Sequence, residues 1–244
     1  MSYIQFAPHP FLAPYIAAYW KVTGSEYLVT TQKILPDGCV DIILNMGEDF
    51  LNADGGFCLK NESACLVGTM TKFKNSVLLP QTNLIGIRFK PAGFSFFYKF
   101  ASLHEITDQT IELEKNLAPE IRKYPDNPFS LLDNFFLAKM ATAKHGLLEI
   151  IESIEIKNGQ LSVPMLAEKH CTTTRQLERS FKRFVGITPK EFINIVRFRH
   201  ALSLLQGKAK NRDLLDIALD CGYYDHAHLG NEIRKYTGDT PSEL

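Results

Sequence analysis

The sequence predicts an α+β multidomain chain. A β-rich N-terminal barrel or sandwich with appended helices is followed by an all-α C-terminal domain of two helix-turn-helix units joined by a long helix. Three observations predict this. Short apolar or alternating runs, each bounded by turn residues, fill the first part of the chain. From Leu147 onward the apolar period is helical. Within that helical part, a short helix, a tight turn and a second helix occur twice in series. The 244 residues suffice for one large or two small domains. The boundary is expected near Ala143–His145, giving a β-rich domain over 1–143 and a helical domain over 144–244.

In chain order, strands are expected at Tyr15–Val22, Gln32–Leu35, Val40–Leu44, Ser63–Val67, Ser76–Leu79 and Leu84–Phe89. Turn residues separate them: Gly24-Ser25, Pro36–Gly38, Asn52–Gly56, Pro80–Asn83 and Lys90–Gly93. An aromatic crowd follows at Phe94, Phe96, Phe97, Tyr98 and Phe100. Helices are expected at Thr107–Leu117 and Ser130–Ala143, with a break at Tyr124–Pro128.

Leu147, Ile150, Ile151, Ile154 and Ile156 make the apolar face of a helix stopped by Asn158-Gly159. The first helix-turn-helix unit is Pro164–His170, a turn at Cys171-Thr172, then Thr173–Val185. Pro164 suits a first turn. Thr173 with Gln176 three residues on is a capping-box pattern. Leu177, Phe181 and Phe184 form the buried stripe of that helix. Thr174, Arg175, Glu178, Arg179 and Lys182 are left on its other side. Pro189 opens the long helix to Gln206, and the second unit runs from Asp213 through a Cys221–Tyr224 turn to Tyr236.

Such units point to DNA, because one helix can enter the major groove while the other braces it. The net charge is zero, but between Thr172 and Arg199 the cations Arg175, Arg179, Lys182, Arg183, Lys190, Arg197 and Arg199 are opposed only by Glu178 and Glu191. A local basic stripe is the footprint of a phosphate-contacting surface; it is also what a solvated helix face looks like. Glu178 reads either as a base contact or as the i,i+4 partner of Lys182.

Other classes are disfavoured. The sequence has no Walker loop, no G-x-G-x-x-G, no G-x-S-x-G and no H-E-x-x-H. Five cysteines without C-x-x-C spacing argue for reduced thiols, and His104, His145 and His170 have no metal-ligand spacing, so no cofactor and no metal are expected. No apolar run approaches the ~20 residues of a membrane span. Met1–Phe6 lacks a signal-peptide pattern, so a cytoplasmic protein is expected. A catalytic N-terminal domain would rest only on Cys39, Asp41 and Arg88 lying in strand-like segments.

The segments Leu166-Ala-Glu168, Arg175-x-Leu177-x-Arg179-x-Phe181, Val185-Gly186-x-Thr188-Pro189, Ile217-Ala218, Cys221-Gly222-Tyr223 and Thr237-Gly238-x-Thr240-Pro241-Ser242 resemble the AraC-type transcription regulators over Leu161–Leu244. Ile34–Asp41 (I-L-P-D-G-C-V-D), Gly86–Gly93 (G-I-R-F-K-P-x-G), Tyr15–Trp20, Val67-Gly68 and Leu103–Asp108 resemble a regulatory domain of a subset of them. The resemblance implies double-stranded DNA as partner. It also implies an N-terminal domain that senses a small molecule, forms a homodimer, or both, and contact with RNA polymerase. Carried over, the DNA-facing set is Thr173, Thr174, Arg175, Glu178, Arg179, Lys182 and Arg183 in the first unit and His226 and Asn231 in the second. The second unit departs from the pattern at Leu229-Gly230-Asn231, where relatives carry an aromatic, an aliphatic and an arginine. That makes it a weaker reader or a brace. The alternative is a sensor or interaction protein whose helix-turn-helix region has lost DNA readout. Trp20, Asp41, Arg88 and Phe96 are the candidate effector-binding residues.

Overall fold

The computed structural model describes residues 2–25, 28–51, 57–120, 128–141, 145–207 and 212–244. Among the described residues, ten strands occupy the first half: β1 (Ser2–Phe6), β2 (Ile16–Thr23), β3 (Thr30–Ile34), β4 (Val40–Asn45), β5 (Phe50–Leu51), β6 (Cys58–Leu59), β7 (Ala64–Val67), β8 (Lys74–Leu78), β9 (Asn83–Phe89) and β10 (Thr110–Leu113). Six of them form one antiparallel sheet in the order β1-β2-β9-β4-β7-β10, while β3 pairs with β8 and β5 with β6.

Alternation along each strand sends side chains to two faces. Ile42, Leu44, Leu66, Ile85, Ile87 and Phe89 point to one face. There they pack against the aromatics of a 3-10 turn at Gly93–Phe96 and against α1 (Pro128–Lys139). Phe89 is the hub, with ring centroids 5.4 Å from Phe94, 5.7 Å from Phe97 and 5.5 Å from Phe136. Trp20, Val22, Cys65 and Leu84 point the other way, toward Leu59 of β6 and Leu78 of β8.

Three expectations change. Thr107–Leu117 is not a helix. A 3-10 turn at Leu103–Ile106 leads into β10, whose Thr110–Leu113 pair with Val67–Ala64. The β-branched Thr110 and Ile111 suit a strand, and the open edge of β7 supplies the ladder. β1 was not anticipated: all five of its residues are exposed, so it has no buried face to announce it. Helix α1 starts at Pro128 and stops at Lys139 rather than running from Ser130 to Ala143. The turn at Asn52–Gly56, most of the Tyr124–Pro128 break and residues 142–144 at the expected domain junction lie outside the described residues.

The second half holds α2 (Leu147–Ile156), α3 (Val163–Lys169), α4 (Thr174–Phe184), α5 (Pro189–Gln206), α6 (Leu214–Asp220) and α7 (His226–Thr237). α5 is its axis, burying Phe192, Ile193, Ile195, Phe198, Ala201 and Leu202 among α2, α4, α6 and α7. Thr188 and Glu191 form a capping box at its start, with Pro189 in the first turn. The turns of the two units match: Cys171 at φ +48° and Gly222 at φ +73° each stand one residue past the cap of the preceding helix.

The two halves touch at the long helix and just past the second unit. Gly38 sits so close to α5 that a Cβ there would lie 2.5 Å from the Phe192 ring. Lys33 of β3 is ion-paired with Asp239, and the Phe73 ring covers Gly238, both just past α7.

Candidate nucleic-acid interface

Helix α4 starts where the sequence places it. Thr173 accepts from the backbone N–H of Gln176, and Gln176 accepts in return from the backbone N–H of Thr173. The capping box fixes the first turn, and Leu177 and Phe181 face the core. Thr173, Thr174, Arg175, Glu178, Arg179, Lys182 and Arg183 are all exposed. Among the described residues none of Arg175, Arg179, Lys182 or Arg183 takes part in an ion pair, and no ion pair joins Glu178 to Lys182. Arg183 lies 5.1 Å over the Phe184 ring. The sequence stripe divides, however. Arg197 donates twice to the Gly159 carbonyl, at 3.2 and 2.9 Å, and so closes the end of α2. Arg199 turns toward the sheet half.

The second unit has a different electrostatic character. Asp225 caps α7 by accepting from the His228 N–H at 2.7 Å. His226 and Asn231 are exposed. A Cβ at Gly230 would meet nothing within 4 Å. Asp213, Asp216 and Asp220 are exposed on and beside α6, with Asp220 held by Arg212 at 2.6 Å. An anionic first helix is a poor platform for phosphate.

Between the six-stranded sheet and the β3–β8 ribbon lies a cavity of about 310 Å³. Trp20, Asp41 and Arg88 meet in its wall. Asp41 and Arg88 are direct cross-strand partners. The Arg88 guanidinium lies 3.4 Å from Asp41 and 3.3 Å from Asp37, and the Trp20 indole N–H donates to Asp41 at 2.9 Å. The indole lies against Gly86, its register partner, where a Cβ would stand 1.8 Å from the ring. Burial pushes the Asp41 carboxyl above its ordinary value, against the pull of Arg88, and burial likewise pushes the Cys39 thiol up. A thiol held protonated in this way is a poor nucleophile. Apolar groups such as Ile43, Val67 and Leu78 complete the interior, and Lys33, Lys74 and Arg199 join the lining.

Phe96 does not belong to this cavity. It packs on the opposite face of the sheet, its ring 4.2 Å from Tyr15 and 5.3 Å from His145. The 3-10 turn after Gly93 carries it there, which strand alternation does not foretell. Sequence reasoning also missed Lys33, Lys74 and the cavity-facing role of Arg199. It missed as well four side chains of the sheet half, Thr69, Ser102, His104 and Thr107, that reach the C-terminal end of α4. No local pattern marks them; their roles arise from contacts between residues distant in the chain.

Ser95 and His145 approach to 2.7 Å at the junction of the halves. The pair is not arranged for catalysis. Nδ1 of His145 accepts from the Leu147 N–H, so Nε2 carries the proton, and Ser95 Oγ donates to the Ala92 carbonyl. A nucleophilic serine needs the reverse, an unprotonated Nε2.

Residues 166–244 match the family model described as a helix-turn-helix domain, and residues 4–112 match that of a domain of unknown function (DUF6597). Among curated proteins the chain is similar to the HTH-type transcriptional regulator ArgR of Pseudomonas aeruginosa, at 30% identity over 34% of this chain and 25% of that protein. It is also similar to the HTH-type transcriptional activator RhaS of Escherichia fergusonii, at 26% identity over 45% of this chain and 43% of that protein. The chain thus matches less than half the length of these curated relatives. Among solved structures, ToxT from Vibrio cholerae aligns over 100% of this chain and 97% of its own, at 12% identity and a TM-score of 0.48. The helical half is a helix-turn-helix domain, and the curated relatives it matches are transcription regulators.

Proposed function

We propose that the chain is an AraC-type, sequence-specific DNA-binding transcription regulator. The observation that carries this is the face of α4: a capped helix of a helix-turn-helix domain, with Arg175, Arg179, Lys182 and Arg183 exposed and in no ion pair among the described residues. Arginines of this kind pair bidentately with guanine, and Glu178 accepts from cytosine N4. Lys182, Arg183 and the free N–H groups at the start of α4 hold phosphates. Thr173 is committed to its cap through both its hydroxyl and its backbone N–H, so it contributes by fixing the start of α4. In the second unit His226 and Asn231 face outward, but the acidic α6 leaves that unit a brace with modest base readout. RNA polymerase and a second copy of the chain are the further partners that this reading implies, acting in the cytoplasm without catalysis.

The sheet half is read as the sensor. Its effector is a small molecule with an apolar body and a polar group, seated against Trp20 and the Asp41–Arg88 pair. Selection of bound duplexes from a random pool tests the DNA reading: enrichment of one sequence class supports it, and no enrichment, with or without metabolite extract, overturns it. Trp20 is the chain's one tryptophan. Its emission therefore reports cavity occupancy directly, and a metabolite that alters duplex affinity while leaving that emission unchanged does not act through the cavity.

A further inference from the structure

The four last carbonyls of an α-helix have no partner inside the helix. At the end of α4 the sheet half supplies partners. Ser102 Oγ donates to the Lys182 carbonyl at 3.3 Å, and Thr69 Oγ1 donates to the Val185 carbonyl. The Gly186 carbonyl, in the turn that follows, accepts twice: from Thr107 Oγ1 at 2.6 Å and from His104 Nδ1 at 2.8 Å. A carbonyl can only accept, so Nδ1 of His104 carries its proton whatever the charge on the ring. Gly186 stands at φ +98°, and a Cβ there would lie 3.2 Å from Thr69 Oγ1.

The donors themselves are held firmly. The Thr69 carbonyl accepts from the Asp108 N–H, and Gly68 N–H donates to Gln109. The Asp108 carboxylate takes the Thr71 N–H at 2.7 Å, and Lys74 Nζ donates to the Asp108 carbonyl at 2.7 Å. Gly68 has no room for a side chain, since a Cβ would lie 2.0 Å from the Ile106 carbonyl oxygen. The same stretch walls the cavity. Val67 and Met70 bracket Gly68-Thr69, and Lys74 and Thr110 flank Asp108.

We propose that Thr69, Ser102, His104 and Thr107 are positioning residues of the DNA-reading helix. The sheet half supplies the C-terminal cap of α4, and the wall of its cavity is continuous with that cap. The part concerning DNA rests on the reading of α4 given above; the part concerning the cap does not.

The test is the full chain carrying Thr69→Val and Thr107→Val together, which remove two donors and keep the side-chain shape. Thr69→Ser serves as the conservative control. If the double variant does not fold, the half-buried Thr107→Val alone replaces it. Two readouts separate the layers. Amide hydrogen exchange over residues 182–187 should quicken at least tenfold while exchange in α7 stays unchanged. Affinity for a selected duplex should fall tenfold or more while affinity for a random duplex of equal length holds, and Thr69→Ser should behave as the parent in both. Parent-like exchange, or quickened exchange with undiminished affinity for the selected duplex, overturns the proposal. If the parent chain binds no duplex at all, the DNA reading falls, and the exchange result still decides whether the cap holds α4.

Discussion

At the scale of single residues the cavity beside β9 hinges on a glycine. Gly86 lets the Trp20 indole lie flat across β9 and reach Asp41. Gly86→Ala should displace the indole, lower stability by about 1–3 kcal/mol through overpacking, and change the fluorescence of Trp20. Urea unfolding and emission spectra check both. On the helical side, Arg179→Ala should weaken binding to a selected duplex by ~1–3 kcal/mol and relax preference at one base position. A parent-like affinity would remove Arg179 from the interface. The sequence marked Asp41 and Arg88 as polar groups in strands, but their meeting depends on β4 pairing with β9, a partnership between segments more than forty positions apart. Period-2 reasoning assigns a residue to one face of its own strand; it does not choose the neighbouring strand.

At the scale of elements, capping chemistry was the most legible feature. Thr173 with Gln176 and Asp225 before α7 were readable because a cap depends on residues within three positions of each other. Thr173→Ala should cost roughly 1 kcal/mol and loosen the start of α4, visible as faster amide exchange there. Two positions run the other way. Cys171 holds a left-handed conformation in the turn where the second unit has Gly222, so Cys171→Gly should raise stability by about 1 kcal/mol. Gly230→Ala fills open space on α7 and should add up to ~1 kcal/mol. Thermal unfolding measures each; a loss of stability in either contradicts the backbone argument. The misread element was β10. Its four residues are too few to display a period, and only the open edge of β7 makes them a strand.

At the scale of the whole molecule, the arrangement of the halves was not legible at all. Among the described residues the bonds across the junction, from the caps on α4 to Lys33 with Asp239, join residues distant in sequence. His145 sits at this junction, its ring tilted 4.4 Å from that of Phe184, and burial holds its imidazole below the usual 6.5. In the window between that depressed value and 6.5 the unfolded chain binds a proton that the folded chain does not. Stability therefore falls as pH drops through the window. His145→Gln should flatten the dependence of the urea midpoint between pH 7.5 and pH 5; an unchanged slope would assign the effect to other groups.

The proposed DNA binding by the face of α4 predicts a direct physical signature, because each phosphate neutralised by a cation releases counterions. The measurement is the affinity of the full chain for a selected duplex across a range of salt concentrations, alongside Lys182→Gln. A steep negative slope that becomes shallower by about one in the variant is the expected result. A flat slope in the parent, or a steep one that Lys182→Gln leaves unaltered, would contradict α4 as the DNA-reading helix.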